Sequence, residues 1–209
     1  MNTELLTCRR MTVGLVYPVY PLQPTQVNRL YADITERYPF QSLQHLPDGA
    51  RMANPNGDFF VQTTRMQVNG DVDYFHSFKE RAADLFRLSQ ERLQIPEFST
   101  FGVKLTAFLP VPSGSTASAV LEKSMVASGA DLDLLGTGRK GVGFRFVLHR
   151  DGIHEVKIEP FFSDLSQIYV EVDVQHPNPF KNLDDIEPRM EAVYNYLFGE
   201  IRDFLDALS

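Results

Sequence analysis

The sequence predicts an α+β fold, with an antiparallel sheet or sheets packed against helices. Short stretches alternate apolar and polar residues, as strands with one buried face do. Longer segments repeat apolar residues every three or four positions, as amphipathic helices do. The strands come in groups between the helices instead of alternating with them one by one, which favours antiparallel over parallel pairing.

The first half of the predicted domain covers about residues 10–95 and has the order β-α-β-β-β-α. Its strand, helix, three short strands and second helix are predicted at residues 11–20, 25–38, 40–69 and 73–93. Pro39 ends the first helix, because the residue before a proline is pushed towards extended conformations. The turn sequences PDG and NPNG separate the three short strands.

The second half, about residues 97–209, is predicted to repeat this order. Its strand, short helix, three strands and final helix are predicted at residues 99–111, 115–128, 141–175 and 182–208. Pro188 falls in the first turn of the final helix, where proline is tolerated. We therefore predict a single domain made of a duplicated β-α-β-β-β-α unit, with the long C-terminal helix packed on the sheet.

Residues 112–140 differ in composition from the rest of the second half. They are rich in proline, serine, glycine and alanine, and they contain few aromatic residues. A segment with few large apolar side chains has little to bury and opens easily. We therefore predict a mobile insertion near 112–140.

Composition and charge limit the classes of function. The net charge of −7 opposes nonspecific nucleic-acid binding, because that binding relies on lysine and arginine to neutralise phosphates. Cys8 is the only cysteine, so we expect neither an internal disulfide nor a cysteine-based zinc site. No apolar run approaches the ~20 residues of a membrane helix, and the N-terminus lacks the apolar stretch of a signal peptide. We expect a cytoplasmic protein that does not bind membrane. Nucleic acid is a disfavoured partner, which would require Arg139, Lys140, Arg145 and Arg150 to converge on one surface.

Three stretches carry a resemblance to known proteins. They are TVGLVYPV to ITERYPF, FSTFGVKLTAFLPVP, and VKIEPFFSDLSQIYVEVDVQHPNPF with the helix that follows it. On these stretches the chain resembles a sporadically distributed bacterial family of uncharacterised proteins, which implies an accessory role and supplies no catalytic residues. The order of elements also resembles helix-grip and TATA-binding-protein-like folds, in which a curved antiparallel sheet wraps a long C-terminal helix.

The sequence GTGRKG at 136–141 has the G-x-G-x-x-G spacing of a dinucleotide-binding turn. That turn needs a helix after it, whose N-terminus holds the pyrophosphate. Here VGFRFVLHR follows with the pattern of a strand, so we predict a glycine-rich loop that feeds a strand. Arg139 and Lys140 in this loop, with Arg145 beyond it, are candidates to bind an anion or an acidic partner. Solvated surface charges are the alternative.

His149 and His154 flank a predicted turn and raise the question of a metal pair. A two-residue loop puts both histidines on one face, but it mixes apolar and charged residues on the same side. A three-residue loop at 150–152 pairs Phe146 with Val156 and keeps one face apolar. Because that register puts the histidines on opposite faces, we predict no metal site there.

The same register defines a polar face on the last three strands. It carries Arg145, Lys157, Glu171 and Asp173, with Glu155 nearby. The carboxylates of Glu171 and Asp173 are suited to acid–base work or to holding a cation. Because Lys157 is expected beside Glu171, a ladder of cross-strand ion pairs on a wet surface is the simpler interpretation.

No catalytic signature is assembled in the sequence, which contains neither H-E-x-x-H nor G-x-S-x-G. We expect a non-catalytic binding or interaction protein, without metal or cofactor, that acts as a homodimer or with another protein. A heptad-like stripe on the final helix is either a dimer seam or core packing: Met190, Tyr194, Leu197, Ile201, Phe204 and Leu208. Two alternatives stay open: a small apolar ligand in a cavity under that helix, or a small hydrolase or isomerase that uses Glu171 and Asp173.

Overall fold

A computed structural model describes residues 1–72, 74–126, 134 and 138–208. The strands are β1 Thr7–Val16, β2 Ser42–Leu46, β3 Gly49–Asn54, β4 Gly57–Gln62, β5 Arg65–Asp71, β6 Thr100–Pro110, β7 Phe144–His149, β8 Ile153–Pro160 and β9 Gln167–His176. The helices are α1 Pro24–Thr35, α2 Phe75–Leu93, α3 Ala117–Val126 and α4 Ile186–Tyr196, which continues through a π-helical turn, Leu197–Ile201, into α5 Arg202–Ala207. A 3-10 turn, Thr3–Leu5, precedes β1.

The described strands form one nine-stranded antiparallel sheet in the order β2-β3-β4-β5-β1-β6-β9-β8-β7. Strands that follow one another in the chain pair as hairpins at both ends of this order, while β1 and β6 lie in its middle. The α+β class and the antiparallel pairing expected from the sequence are therefore confirmed.

The prediction of three short strands between residues 40 and 69 is wrong, because the chain forms four there. The stretch DFFVQTTRMQV is a hairpin, in which β4 pairs with β5 and Val61 lies opposite Met66. The backbone N–H of Thr63 donates to the carbonyl of Asp48 at 2.8 Å, and the carbonyl of Thr64 accepts from Tyr17 at 3.0 Å. These bonds satisfy the turn without glycine or proline. The first half therefore has one strand more than the predicted repeating unit.

The chain forms two compact units. The 105–173 unit consists of residues 1–9, 105–173 and 193–209, and the 10–104 unit consists of residues 10–104 and 174–192. Their boundaries differ from those of the predicted halves, 10–95 and 97–209, and the single duplicated domain stays a prediction. Each unit has a buried core of its own.

In the 10–104 unit, the apolar residues of the strands alternate to one face and pack on α1 and α2. The fully buried side chains include Met11, Leu15, Met52, Phe59, Met66, Leu30, Ile34, Leu85 and Phe86. Phe59 of β4 meets Phe86 of α2 edge to face, with ring centroids 6.3 Å apart. Burying one such side chain stabilises the fold by about 1.5–3 kcal/mol, so this layer fixes which face of the sheet points inward.

In the 105–173 unit, the predicted register of β7 and β8 is confirmed. Phe146 lies opposite Val156, and residues 150–152 form the three-residue loop. Val156 is buried, while Phe146 is half-buried and packs against Phe204 of α5, with ring centroids 5.3 Å apart. His149 is exposed and His154 is buried, so the two histidines face opposite sides, as predicted.

The loop before β7 is also as predicted: residues 138–143 contain no helix, and the strand begins at Phe144. A Cβ atom on Gly143 would lie 2.8 Å from the carbonyl oxygen of Ile158, so glycine permits this close approach to β8. In the predicted mobile insertion, residues 127–133 and 135–137 lie outside the described residues. Within the described part, α3 buries Ala117 and Leu121.

The C-terminal helix is interrupted by the π-helical turn, which the sequence did not predict. Of the heptad-like stripe, Met190, Leu197 and Ile201 are buried within the chain, which favours core packing over a dimer seam. Phe204 packs on β7, so the end of this helix lies on the sheet, as expected. No helix in the described ranges is both long enough and apolar enough to cross a membrane.

Candidate functional site

The polar face of the 105–173 unit is the side of β6–β9 that points away from the buried apolar residues. Successive side chains of a strand point to opposite faces, so burying Val156, Ile158, Val170 and Val172 places their neighbours on the other side. The polar face defined in this way carries Thr106, Arg145, Glu155, Lys157, Tyr169, Glu171 and Asp173.

A continuous chain of charged and polar contacts crosses this face. Arg145 donates to Glu155 at 2.8 Å. The Lys157 ammonium lies 3.1 Å from the other oxygen of Glu155 and 2.8 Å from Oε1 of Glu171. The hydroxyl of Tyr169 donates to Oε2 of Glu171 at 2.8 Å. Both oxygens of Glu171 are therefore engaged, and charge-assisted bonds of this length are strong.

The members of this chain of contacts differ in exposure, and Glu171 is the least exposed of the four charged side chains. The side chain of Arg145 is 65% exposed and that of Glu155 is 26% exposed. The side chain of Lys157 is 35% exposed, whereas that of Glu171 is only 12% exposed. Glu171 is thus a nearly buried carboxylate that Lys157 and Tyr169 help to stabilise, because a buried charge without partners is costly.

The contacts move pKa values away from neutrality. The carboxylates of Glu171 and Glu155 raise the pKa of Lys157. Burial, and then the hydrogen bond to Glu171, raise the pKa of Tyr169 to about 12. Arg145 and Lys157 lower the pKa of Glu155. Near neutral pH, Lys157 and Glu155 are therefore charged and Tyr169 is protonated, so none of these three groups is poised to exchange a proton.

A cavity of about 320 Å³ opens on the polar face beside these groups. Lys157, Tyr169 and Glu171 line it, together with Phe161 and Phe162 from the loop that follows β8. The side chain of Phe162 is 58% exposed. The cavity thus combines a hydrogen-bonded polar lining with an exposed aromatic ring.

Phe161 is held in place by contact with another aromatic ring. Its ring packs edge to face on Phe108 of β6, with centroids 4.9 Å apart. Phe108 in turn packs edge to face on Tyr169, at 5.8 Å. Two strands and a loop therefore fix the aromatic part of the cavity, and pairs of this kind contribute about 0.5–1.5 kcal/mol beyond their buried area.

The structure brings four residues of the predicted polar face into the contact chain: Arg145, Glu155, Lys157 and Glu171. Asp173 lies two residues beyond Glu171 on the same face of β9, outside the residues that line the cavity. Arg139 instead pairs with Glu122 of α3 at 2.5 Å. The side chain of Lys140 is exposed, and its carbonyl accepts a hydrogen bond from Ser118 at 2.8 Å. The three candidate cations thus lie in different surroundings.

Sequence reasoning missed the aromatic part of the site. Phe161 continues the two-residue steps of Lys157 and Glu159, so the alternation of β8 predicts it on the polar face. Phe162 lies beyond the strand, where this alternation no longer applies, so the sequence carries no signal for its position at the cavity. The approach of Phe108 to Tyr169 has no local signal, because it depends on β6 lying beside β9.

His154 belongs to a second group of polar side chains in the same unit. Its Nε2 lies 3.0 Å from Asp151, its ring packs edge to face on Tyr196 at 5.3 Å, and its Nδ1 has no partner among the described residues. Arg150 lies over Tyr196 and pairs with Glu200 at 2.5 Å. These contacts join the β7–β8 loop to the π-helical turn. No group of three potential metal ligands occurs in the described ranges.

A larger cavity, of about 510 Å³, lies in the 10–104 unit. It is lined by side chains from α1 and α2, including Asp33, Arg92 and Gln94. Arg92 pairs with Asp33 at 2.7 Å, and Arg92 and Gln94 are both exposed. Gln94 ends α2 in the left-handed region, with φ of 55°. This lining is ordinary surface, without the buried polar groups of the polar face.

Comparisons with known proteins leave the family open. No family model matches the chain, and no curated protein matches it. Among solved structures, the chain is similar to aspartate kinase of Clostridium acetobutylicum, described as an important allosteric enzyme, with 8% identity over 91% of this chain and a TM-score of 0.23. The match covers 33% of that enzyme. A likeness at this level carries no argument about fold or function.

Proposed function

We propose that this chain is a non-catalytic binding protein of the bacterial cytoplasm, with an accessory role, that holds another protein on the polar face of the 105–173 unit. The observation that carries the proposal is the cavity of about 320 Å³, in which exposed Phe162 stands beside a fully hydrogen-bonded Glu171. Interfaces combine such aromatic anchors with polar groups whose partners are already in place.

The electrostatics of the polar face favour binding over catalysis. A general acid or base works best with a pKa near the working pH. The pKa values of Lys157 and Tyr169 are raised, and that of Glu155 is lowered. A hydrolase or isomerase that uses Glu171 would first have to release it from Lys157 and Tyr169.

The other expectations remain as competing proposals. A small apolar ligand would need a cavity under the C-terminal helix, and neither of the two cavities described above is lined by residues of that helix. A homodimer is the alternative occupant of the polar face, and the mass of the captured species separates it from a complex with another protein. We also keep duplication as a proposal for the origin of the two halves, with β2 as the additional strand at the edge of the sheet.

The proposal is tested by placing a benzophenone photo-crosslinking amino acid at position 162 in the native host. Position 19 is the matched control, because Val19 is 78% exposed and lies in the other unit. We expect one protein adduct from position 162 that is absent from position 19. Identification alone is not sufficient, so the purified partner is then titrated against the unlabelled chain.

In that titration, Phe162→Ala is expected to weaken the affinity about tenfold or more, as truncating an interface anchor does. An unchanged affinity, or no protein adduct above the control, would overturn the proposal. An adduct of twice the chain mass would replace the partner protein by a second copy of this chain.

A further inference from the structure

We infer that the partner inserts an arginine side chain into the cavity of the polar face, between Phe162 and Glu159. This inference rests on the proposed function and adds the chemical class of the group that is recognised. It follows from which carboxylates of the cavity are already paired, from the aromatic lining and from the size of the cavity.

The carboxylates on the polar face are not equivalent. Glu155 pairs with Arg145 and Lys157, and Glu171 pairs with Lys157 and Tyr169. Glu159 also lines the cavity, but its side chain is exposed and makes no hydrogen bond or ion pair with any described residue. It is therefore the one lining carboxylate, within the described ranges, that is available to a cation from outside.

The aromatic lining selects the same kind of group. Phe162 exposes its ring beside Glu159, and Phe161 is fixed by Phe108 at 4.9 Å. A guanidinium group stacks on an aromatic face and pairs with a carboxylate through two parallel hydrogen bonds. A lysine ammonium makes the ion pair but lacks the planar face, so arginine uses both features of the cavity.

The charge of the cavity opposes an anionic occupant. Its described lining contains Glu159 and Glu171 against a single cation, Lys157, which already bridges Glu155 and Glu171. The whole chain carries a net charge of −7. Complementary charge steers encounter and suppresses partners of the same sign, so a basic segment is the favoured partner.

The size of the cavity favours a side chain over a large ligand. Its volume of about 320 Å³ lies near the lower limit of small-molecule sites, which run from about 300 to 1,000 Å³. One side chain of the partner occupies such a space, while the partner's backbone stays on the open polar face.

The test uses three short peptides as probes: acetyl-Gly-Arg-Gly-amide, the same peptide with citrulline, and the same peptide with glutamate. Citrulline keeps the shape of arginine but lacks its charge. The probes are titrated against the isotopically labelled chain, and backbone amide shifts are followed by NMR. We expect saturable shifts at residues 161–163 with the arginine peptide, about threefold to tenfold weaker binding with citrulline, and no shifts there with glutamate.

Glu159→Gln is the matching variant, and Glu97→Gln is its control. Glu97 is likewise exposed and without a partner among the described residues, but it lies in the 10–104 unit. The first variant is expected to weaken binding of the arginine peptide to the level of the citrulline peptide, and the second is expected to leave it unchanged. Equal binding of the arginine and citrulline peptides, unchanged binding to Glu159→Gln, or no shifts at residues 161–163 would overturn the inference.

The two proposals fail in different ways. If position 162 captures a protein whose affinity depends on Phe162 while the arginine peptide does not bind, the inference is wrong and the proposed function stands. If the arginine peptide binds as expected but position 162 captures no protein in the host, the cavity recognises a guanidinium group and the proposed function is wrong.

Discussion

Replacing Lys157 by methionine removes the cation that joins Glu155 to Glu171, while it keeps an unbranched side chain at that position. Glu171 then keeps the hydroxyl of Tyr169 at 2.8 Å and loses the ammonium at 2.8 Å from its other oxygen. Because its side chain is only 12% exposed, water replaces that ammonium incompletely. The variant therefore leaves a poorly solvated negative charge in the folded state.

The expected cost lies between two reference cases. Leaving a buried polar group without its partner costs about 1–3 kcal/mol, and breaking a fully buried ion pair costs about 3–5 kcal/mol. Glu171 keeps Tyr169 and a small exposed area, so we expect the unfolding free energy to fall by about 1.5–3 kcal/mol. For a chain of this size, that lowers Tm by about 3–12 °C.

A double-mutant cycle identifies the cause. Glu171→Gln removes the uncompensated charge and leaves an amide that still accepts from Tyr169. Added to Lys157→Met, it is expected to restore most of the lost stability, giving a coupling energy of at least about 1 kcal/mol in urea denaturation. If Lys157→Met alone stays within about 0.5 kcal/mol of wild type, or if the two losses simply add, the contact chain does not stabilise the fold as we argue.

The contribution of Lys157 depends on pH in a defined direction. Its carboxylate partners raise its folded pKa above the unfolded value of about 10.4. Its stabilisation is therefore complete below about pH 10 and is lost as pH rises through the raised folded pKa. Glu155, whose pKa is lowered by Arg145 and Lys157, contributes above about pH 4.3 and loses its contribution as pH falls. The difference between wild type and Lys157→Met is expected to be largest between these limits.

Two further substitutions test the close approach of Gly143 to β8 and an ion pair of the 10–104 unit. Gly143→Ala puts a Cβ atom 2.8 Å from a carbonyl oxygen of β8 and is expected to cost about 1–3 kcal/mol in thermal denaturation. Gly199→Ala is the control: it meets no atom within 4 Å and lies in a helical turn, so it is expected to leave stability unchanged or to raise it by up to about 1 kcal/mol. Equal losses in the two variants would contradict the close approach. Glu191→Gln removes the partner of Lys79, whose side chain is 11% exposed, and is expected to lower stability at neutral pH. Because Lys79 lowers the pKa of Glu191, this loss disappears as pH falls below about 4, and a constant difference in Tm between pH 3 and pH 7 would refute it.

The register of β7 and β8 was predictable because one residue of slippage exchanges the two faces of a strand. Placing Phe146 opposite Val156 is the arrangement that keeps one face apolar, and the structure has it. The turn at Thr63 and Thr64 was not predictable in the same way. Both residues favour strands, and the hydrogen bonds that make the turn come from Asp48 and Tyr17, which are distant in the sequence.

The π-helical turn was missed for a different reason. Its residues include Leu197 and Ile201, which are four positions apart and buried, as they would also be in an α-helix. Apolar spacing therefore does not distinguish the two helices. Glu200 of this turn forms an ion pair with Arg150 at 2.5 Å, and no local sequence pattern predicts that contact. Turns of this kind occur frequently at functional sites, but here the visible contacts explain a structural joint.

For the candidate site, the sequence predicted the charges and missed their surroundings. The ion pair of Lys157 and Glu171 follows from alternation along neighbouring strands, which a local pattern contains. The contribution of Phe108 and Tyr169 follows from β6 lying beside β9, and the sequence pattern does not contain that pairing. The unpredicted part is thus the part made by residues about 60 positions apart.

The difference between the satisfied and the unsatisfied groups on the polar face is what favours binding over catalysis. Lys157 and Tyr169 both donate hydrogen bonds to Glu171, so the positions of the three side chains are fixed and their polar groups are paired within the chain. Glu159 and Phe162, at the same cavity, have no such compensation in the described residues. A catalytic site places its reactive group in the restrained interior, whereas here Lys157 and Tyr169 have pKa values raised away from neutrality and the available groups face outward. An incoming cation completes the arrangement without disturbing any contact that already exists.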